Sequence, residues 1–103
     1  MTKAAAVSEH SIYVARMLTD YIQAAMREAH YELMENGRFF GSIPKCKGAW
    51  ADGTTLEETR AELQSVLESW LLLGFKLAHK LPVIAGINLN LKLKPMREYA
   101  KAD

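Results

Sequence analysis

Ile43-Pro44-Lys45-Cys46-Lys47-Gly48-Ala49-Trp50-Ala51-Asp52-Gly53-Thr54-Thr55-Leu56-Glu57-Glu58-Thr59 opens the stretch that decides the fold, and the stretch runs on to Leu77. Pro44 to Gly53 is a polar connector, and the longest periodic segment of the chain follows it. Thr54 and Thr55 are each followed three residues later by a glutamate, Glu57 and Glu58, so either threonine can head a capping box. Leu56, Leu63, Leu67, Trp70 and Gly74 fall on one stripe at helical spacing, flanked by Thr59, Val66, Leu71 and Leu77. Glu57, Glu58, Glu62, Gln64, Ser65 and Glu68 take the other side. The pattern predicts a capped amphipathic helix of roughly 20 residues, about 30 Å long. Such a helix needs an apolar bed, and the short segments around it must supply one.

Upstream, residues 30–34 and 38–43 flank Asn36-Gly37, a strong hairpin signal. A two-residue loop splits the aromatic side chains between faces. A three-residue loop, Glu35-Asn36-Gly37 with Gly37 in the left-handed region, aligns Tyr31, Leu33, Phe39, Gly41 and Ile43 on one face. That register is favoured, and it sends Phe40 and Met34 to the opposite face. Pro44 ends the second strand, and residues 48–52 read as a third. Downstream, Ile87, Leu89, Leu91 and Leu93 alternate with Asn88, Asn90, Lys92 and Lys94, the pattern of a half-buried strand stopped by Pro95. Before the hairpin, residues 18–29 form a helix with Leu18, Tyr21, Ile22, Ala25, Met26 and Ala29 on one face. Residues 12–16 fit either the start of that helix or a short strand, and residues 1–10 read as a disordered arm.

The expected architecture is therefore one α+β domain over residues 1–103, in the order α-β-β-β-α-β. A crossover helix places the last strand parallel to an earlier one, giving a four-stranded mixed sheet of order 3-2-1-4 with the long helix on one face. Residues 30–93 are its core and 95–103 a tail. This topology resembles half of a ribonuclease-H-like sheet.

Composition narrows the function classes. A chain of 103 residues, half of them hydrophobic, suits a single core. Thirteen basic against twelve acidic residues give a net charge of +1, without the basic excess of a duplex-binding surface. The single cysteine, Cys46, has no partner for a disulfide or a CxxC motif and reads as a bystander thiol in a loop. No signal peptide or membrane-spanning run stands out, so a cytoplasmic protein without membrane contact is expected.

Nothing in the sequence assembles a catalytic centre. His10, His30 and His79 are far apart and without metal-ligand spacing, and the six glycines form no phosphate loop. A two-metal nuclease needs carboxylates converging from the first strand, the helix and the fourth strand. The fourth strand offers Asn88 and Asn90, and the glutamates of the helix lie on its solvated side. No catalytic residue, metal or cofactor is expected. A ribbon-helix-helix reading of residues 12–29 requires a second helix directly after the first, where residues 30–33 read as a strand.

Tyr31-Glu32-Leu33, then Gly41-Ser42-Ile43-Pro44, Gly48-Ala49-Trp50-Ala51, Gly53, Thr55 and Glu57-Glu58, then Leu67-Glu68 and Trp70-Leu71, resemble the HicB family of antitoxins over residues 18–93. The chain is similar to a short subset of that family with a helix before the first strand. It departs at Lys45-Cys46-Lys47, where the family usually has an acidic residue and a second proline. The resemblance implies a partial ribonuclease-H-like fold without catalytic acids. It also implies a non-catalytic protein that binds and neutralises a small, basic, double-stranded-RNA-binding-like toxin of the HicA type, an mRNA interferase. A solitary relative acting as an interaction module is the other form the resemblance allows. Many members also carry a C-terminal DNA-binding domain; only eight residues follow Pro95, so operator binding is not expected. The alternative is a nucleic-acid-binding regulator using the N-terminal strand-helix segment.

Individual residues carry two readings each. Trp50 is either a partner-contacting aromatic or packing beneath the long helix, and Phe40 is a second partner-facing candidate. Lys45 and Lys47, with Arg38, are either a contact for RNA or an acidic partner or plain solvated surface. Trp70 reads as core. Leu72 and Phe75 fall off the apolar stripe and, with Tyr21, are candidates for a homo-oligomer interface, a dimer or higher. The first helix or a second copy must cover the sheet face of Phe40 and Met34.

Overall fold

A computed structural model describes residues 9–90, in the order α1 (Glu9–Arg27), β1 (His30–Leu33), β2 (Phe39–Ser42), β3 (Trp50–Gly53) and α2 (Leu56–Leu77). Helix α2 begins at the threonine pair. Thr55 has extended backbone, and its hydroxyl accepts the Glu58 N–H at 3.0 Å, so Thr55 is the N-cap. Glu58 reaches back past the cap to Thr54, whose N–H and hydroxyl both donate to its carboxylate at 2.7 Å. The Thr54 hydroxyl, ahead of the backbone donors, holds the Glu58 carboxyl below the usual carboxylate range. At the far end Ala78 sits in the left-handed region at φ 59°, and the His79 N–H bonds the Gly74 carbonyl at 2.9 Å. This is a Schellman closure with alanine where glycine is usual.

The buried stripe of α2 is Thr59, Leu63, Leu67, Leu71 and Gly74. Leu56 and Leu77, expected on or beside it, are exposed, and Trp70, expected in the core, is only partly buried. The reason is length. A 22-residue helix spans about 33 Å, whereas strands of four residues span about 13 Å, so the helix outruns the sheet.

The sheet is antiparallel throughout, in the order β1-β2-β3. Tyr31 pairs with Gly41 and Leu33 with Phe39; Gly41 then pairs with Ala51 and Phe39 with Gly53. Met34 and Arg38 close a three-residue loop, with the Met34 N–H on the Arg38 carbonyl at 2.8 Å and Gly37 at φ 84°. The hairpin therefore takes the bulged register that aligns Tyr31, Leu33, Phe39 and Gly41. On that face α2 comes very close. A Cβ on Gly41 would lie 2.9 Å from ring carbons of Tyr31 and 3.3 Å from Thr59 Cγ2. The opposite face carries His30, Glu32, Phe40, Ser42, Trp50 and Asp52.

Two expectations are corrected. Among the described residues the sheet has three strands, not four. Ile84 and Ile87 exchange backbone hydrogen bonds across a tight Ala85-Gly86 turn, both central residues having positive φ. Asn90 then uses its side chain in place of a ladder: Oδ1 accepts the Leu81 N–H at 2.8 Å and Nδ2 donates to the Leu81 carbonyl at 2.6 Å. Asn88 Oδ1 also accepts the Asn90 N–H at 2.9 Å, a local bond in place of a ladder partner. Residues 91–93 of that expected strand lie outside the described residues, as do residues 1–8 of the expected arm and the tail.

The second correction concerns the first helix, which starts at Glu9 and includes residues 12–16, so no strand precedes it among the described residues. The ribbon-helix-helix arrangement is likewise absent from them. Tyr21, Ala24, Ala25 and Met26 bury themselves in a core shared with Ile43, Cys46, Leu67, Leu71, Ile84 and Leu89. Helix α1 packs on α2, and among the described residues no helix covers the sheet face of Phe40. No helix of the described residues is long and apolar enough to cross a membrane.

Candidate functional site

The open sheet face is built by alternation. In β2 and β3 every second residue turns away from α2, which puts Phe40 and Trp50 together on the uncovered side. Their rings stack at 5.7 Å between centroids and 29° between planes. Trp50 remains 56% exposed. Packing beneath the long helix is thus excluded for Trp50: its neighbours Ala51 and Gly53 occupy that side instead.

β3 is the edge of the sheet, and beside it runs a shallow groove of about 420 Å³. Trp50, Asp52, Glu58, Glu62 and Val66 line it together with Arg38. Arg38 Nε donates to Asp52 Oδ2 at 3.1 Å, so its charge is already answered from across the strand pair. Glu58 and Glu62 leave the groove with surplus negative charge. Sequence reasoning missed these acids because on a helical wheel they read simply as the solvated side.

Lys45 and Lys47 stand elsewhere. They line a second concavity, with Trp70 and Lys80, and share no wall with Trp50. The four candidate partner-binding residues therefore divide into an aromatic pair and a basic pair. Lys45 pairs loosely with Glu28 at 3.7 Å. Trp70 is anchored through its indole N–H, which donates to the Lys47 carbonyl at 3.0 Å.

The expected oligomer residues also separate. Tyr21 is fully buried, and its hydroxyl donates to the Pro82 carbonyl at 2.6 Å. It belongs to the chain's own core and is not available to a second copy. Phe75 is half-buried against that core. Leu72 is exposed, and Leu73 and Leu77 are exposed with it.

Cys46, expected in a loop as a bystander, is buried in the core, and burial pushes its thiol up to about 11. A thiol held protonated is a poor nucleophile. Among the described residues no three His, Cys, Asp or Glu side chains gather where they can hold a metal ion.

Comparison with known proteins fits this geometry. A family model described as UPF0150-like matches residues 20–82, which includes the C-terminal part of α1, the whole sheet and α2. The crystal structure of TTHA0281 from Thermus thermophilus is 37% identical, covering 70% of this chain and 90% of that one at a TM-score of 0.66. No curated protein matches the chain. Well over half of the residues fall within the family match, and the chain belongs to the UPF0150-like family.

Proposed function

We propose that this protein is a non-catalytic, HicB-like antitoxin whose open sheet face binds a small basic toxin of the HicA type. The observation that carries the reading is the Phe40–Trp50 stack, with Trp50 exposed and Phe40 half-buried, beside the acid-lined edge groove. Exposed aromatic pairs are poor solvent surface and good interface anchors. Asp52, Glu58 and Glu62 beside them suit a positively charged partner, steering the encounter and fixing its orientation. Membership in the UPF0150-like family and the HicB-type sequence block support the same reading. The finer architecture, a partial ribonuclease-H-like fold, belongs to this proposal too.

The antitoxin acts by occlusion rather than by chemistry, and it works in the cytoplasm as a homo-oligomer. Leu72, Leu73 and Leu77 on the C-terminal end of α2 supply an apolar surface for a second copy. Co-expression tests the function. The product of a small basic reading frame adjoining the gene should arrest growth by cleaving mRNA, and this chain should relieve the arrest. Purified, the chain should leave RNA uncut in magnesium. Failure to relieve the arrest, or intrinsic cleavage lost in a Glu32→Gln variant, overturns the proposal.

A further inference from the structure

The second concavity has a chemistry of its own. It is a trough of about 680 Å³ between the Pro44–Gly48 loop, the end of α2 and the turn after it. A smaller hollow of about 300 Å³, reaching to His79, adjoins it and shares Lys47, Trp70 and Lys80. No aspartate or glutamate lines either one. Lys47 and Lys80 have no ion-pair partner among the described residues, and Lys45 keeps only its long contact with Glu28.

Several acceptors around the trough are already engaged. The Lys47 carbonyl takes the Trp70 indole N–H, the Leu81 carbonyl takes Asn90 Nδ2, and the Pro82 carbonyl takes the Tyr21 hydroxyl. Asn90 Oδ1 holds the Leu81 N–H, and Asn88 Oδ1 accepts both the N–H and the Nδ2 of Asn90. The polar side-chain groups that remain to meet a ligand are donors: three lysine ammonium groups and the Asn88 amide. The Trp70 side chain lines the same trough, tied in place by its own hydrogen bond.

Lone donors around an aromatic wall suit a ligand that is all acceptor along one side and carries flat rings on the other. Single-stranded nucleic acid has that form, with phosphates for the lysines and a base for the indole. We infer that the Lys45–Lys47–Lys80 trough, with Trp70 as its stacking wall, is a binding site for a short single-stranded RNA segment. The site is separate from the Phe40–Trp50 face, so it stands or falls independently of the partner proposed there. The near-neutral total charge conceals it, because Asp52, Glu58 and Glu62 are gathered at the other groove.

Fluorescence anisotropy with a labelled octauridylate tests the inference on the full chain. Saturable binding is expected at low salt, weakening with a log–log slope of about −2 if three phosphates are neutralised at roughly 0.7 each. Lys47→Glu combined with Lys80→Glu should weaken binding at least tenfold, whereas Arg38→Gln on the other groove should leave it unchanged. In a Trp50→Phe variant, where Trp70 is the remaining tryptophan, bound RNA should quench the emission. Absence of saturable binding, or equal affinity in the double lysine variant, overturns the inference. Equal binding of an oligoglutamate of the same length, with the same lysine dependence and no quenching, also overturns it and assigns the trough to an acidic protein segment.

Discussion

Cys46 illustrates how burial turns a reactive group into a structural one. Its thiol is enclosed by the core that α1 and α2 share, and burial, ahead of the negative charge of Glu28, raises its pKa from 9.0 to about 11. The consequence for stability has a definite sign. Between those two values the unfolded chain has released the thiol proton while the folded chain retains it, so folding loses stability as pH rises. The contribution is fully present below pH 9 and is progressively lost toward pH 11. Urea midpoints at pH 7.5 and 10.5 should therefore show wild type losing roughly 1–2 kcal/mol more than Cys46→Ala over the same interval. Parallel losses in the two proteins would show that the Cys46 thiol carries none of this pH dependence.

At the scale of elements, the ends of α2 are unequal. Its start is doubly secured by Thr54, Thr55 and Glu58, but its end relies on Ala78 in a backbone conformation that disfavours a Cβ. Ala78→Gly should raise stability by about 1 kcal/mol, visible as a higher denaturation midpoint with unchanged urea slope. A lower midpoint would mean that the greater freedom of glycine in the unfolded chain outweighs the relieved strain.

The element scale is also where the sequence was most and least informative. The α2 cap and the bulged Gly37 hairpin follow from local rules, side-chain reach and the two-residue period of a strand, so both were legible. The alternation from Ile87 to Leu93 was misleading in its described part. Leu89 is buried as a strand residue would be, but Asn88 and Asn90 hydrogen-bond locally and bend the chain, a choice that period-two hydrophobicity does not encode. The helical character of residues 12–16 was ambiguous because β-branched and aromatic residues there suit a strand equally well. For the candidate site, Phe40 and Trp50 were named from type alone. Their stacking, and their separation from Lys45 and Lys47, required the strand register. Lys80, Asn88 and Asn90 reach the trough from segments far from Lys45 and Lys47 in the chain, and no sequence pattern links them.

For the whole molecule, the arrangement leaves two surfaces short of partners. Among the described residues one helix layer covers one side of a three-stranded sheet, α1 leans on α2, and the other sheet face carries the exposed Trp50 stacked on Phe40. The C-terminal end of α2 exposes Leu72, Leu73 and Leu77. If the leucine surface joins two copies, sedimentation equilibrium at micromolar concentration should give at least twice the chain mass of 11.6 kDa. Leu72→Glu with Leu77→Lys, both at exposed positions, should return the single-chain mass without loss of helical content. A wild-type protein that sediments as one chain at tens of micromolar contradicts the oligomer.

The central claim is that the aromatic sheet face, and not the basic trough, is the toxin-binding surface. Isothermal titration of the purified protein against a catalytically inactive form of the proposed basic toxin measures it directly. Phe40→Ser with Trp50→Ser, checked for an unchanged fold by circular dichroism, should weaken binding at least a hundredfold, the scale of losing two hot-spot aromatics at about 2 kcal/mol or more each. Lys47→Glu with Lys80→Glu should bind as wild type does. Unaltered affinity in the aromatic variant, with the loss appearing in the lysine variant instead, would contradict the account.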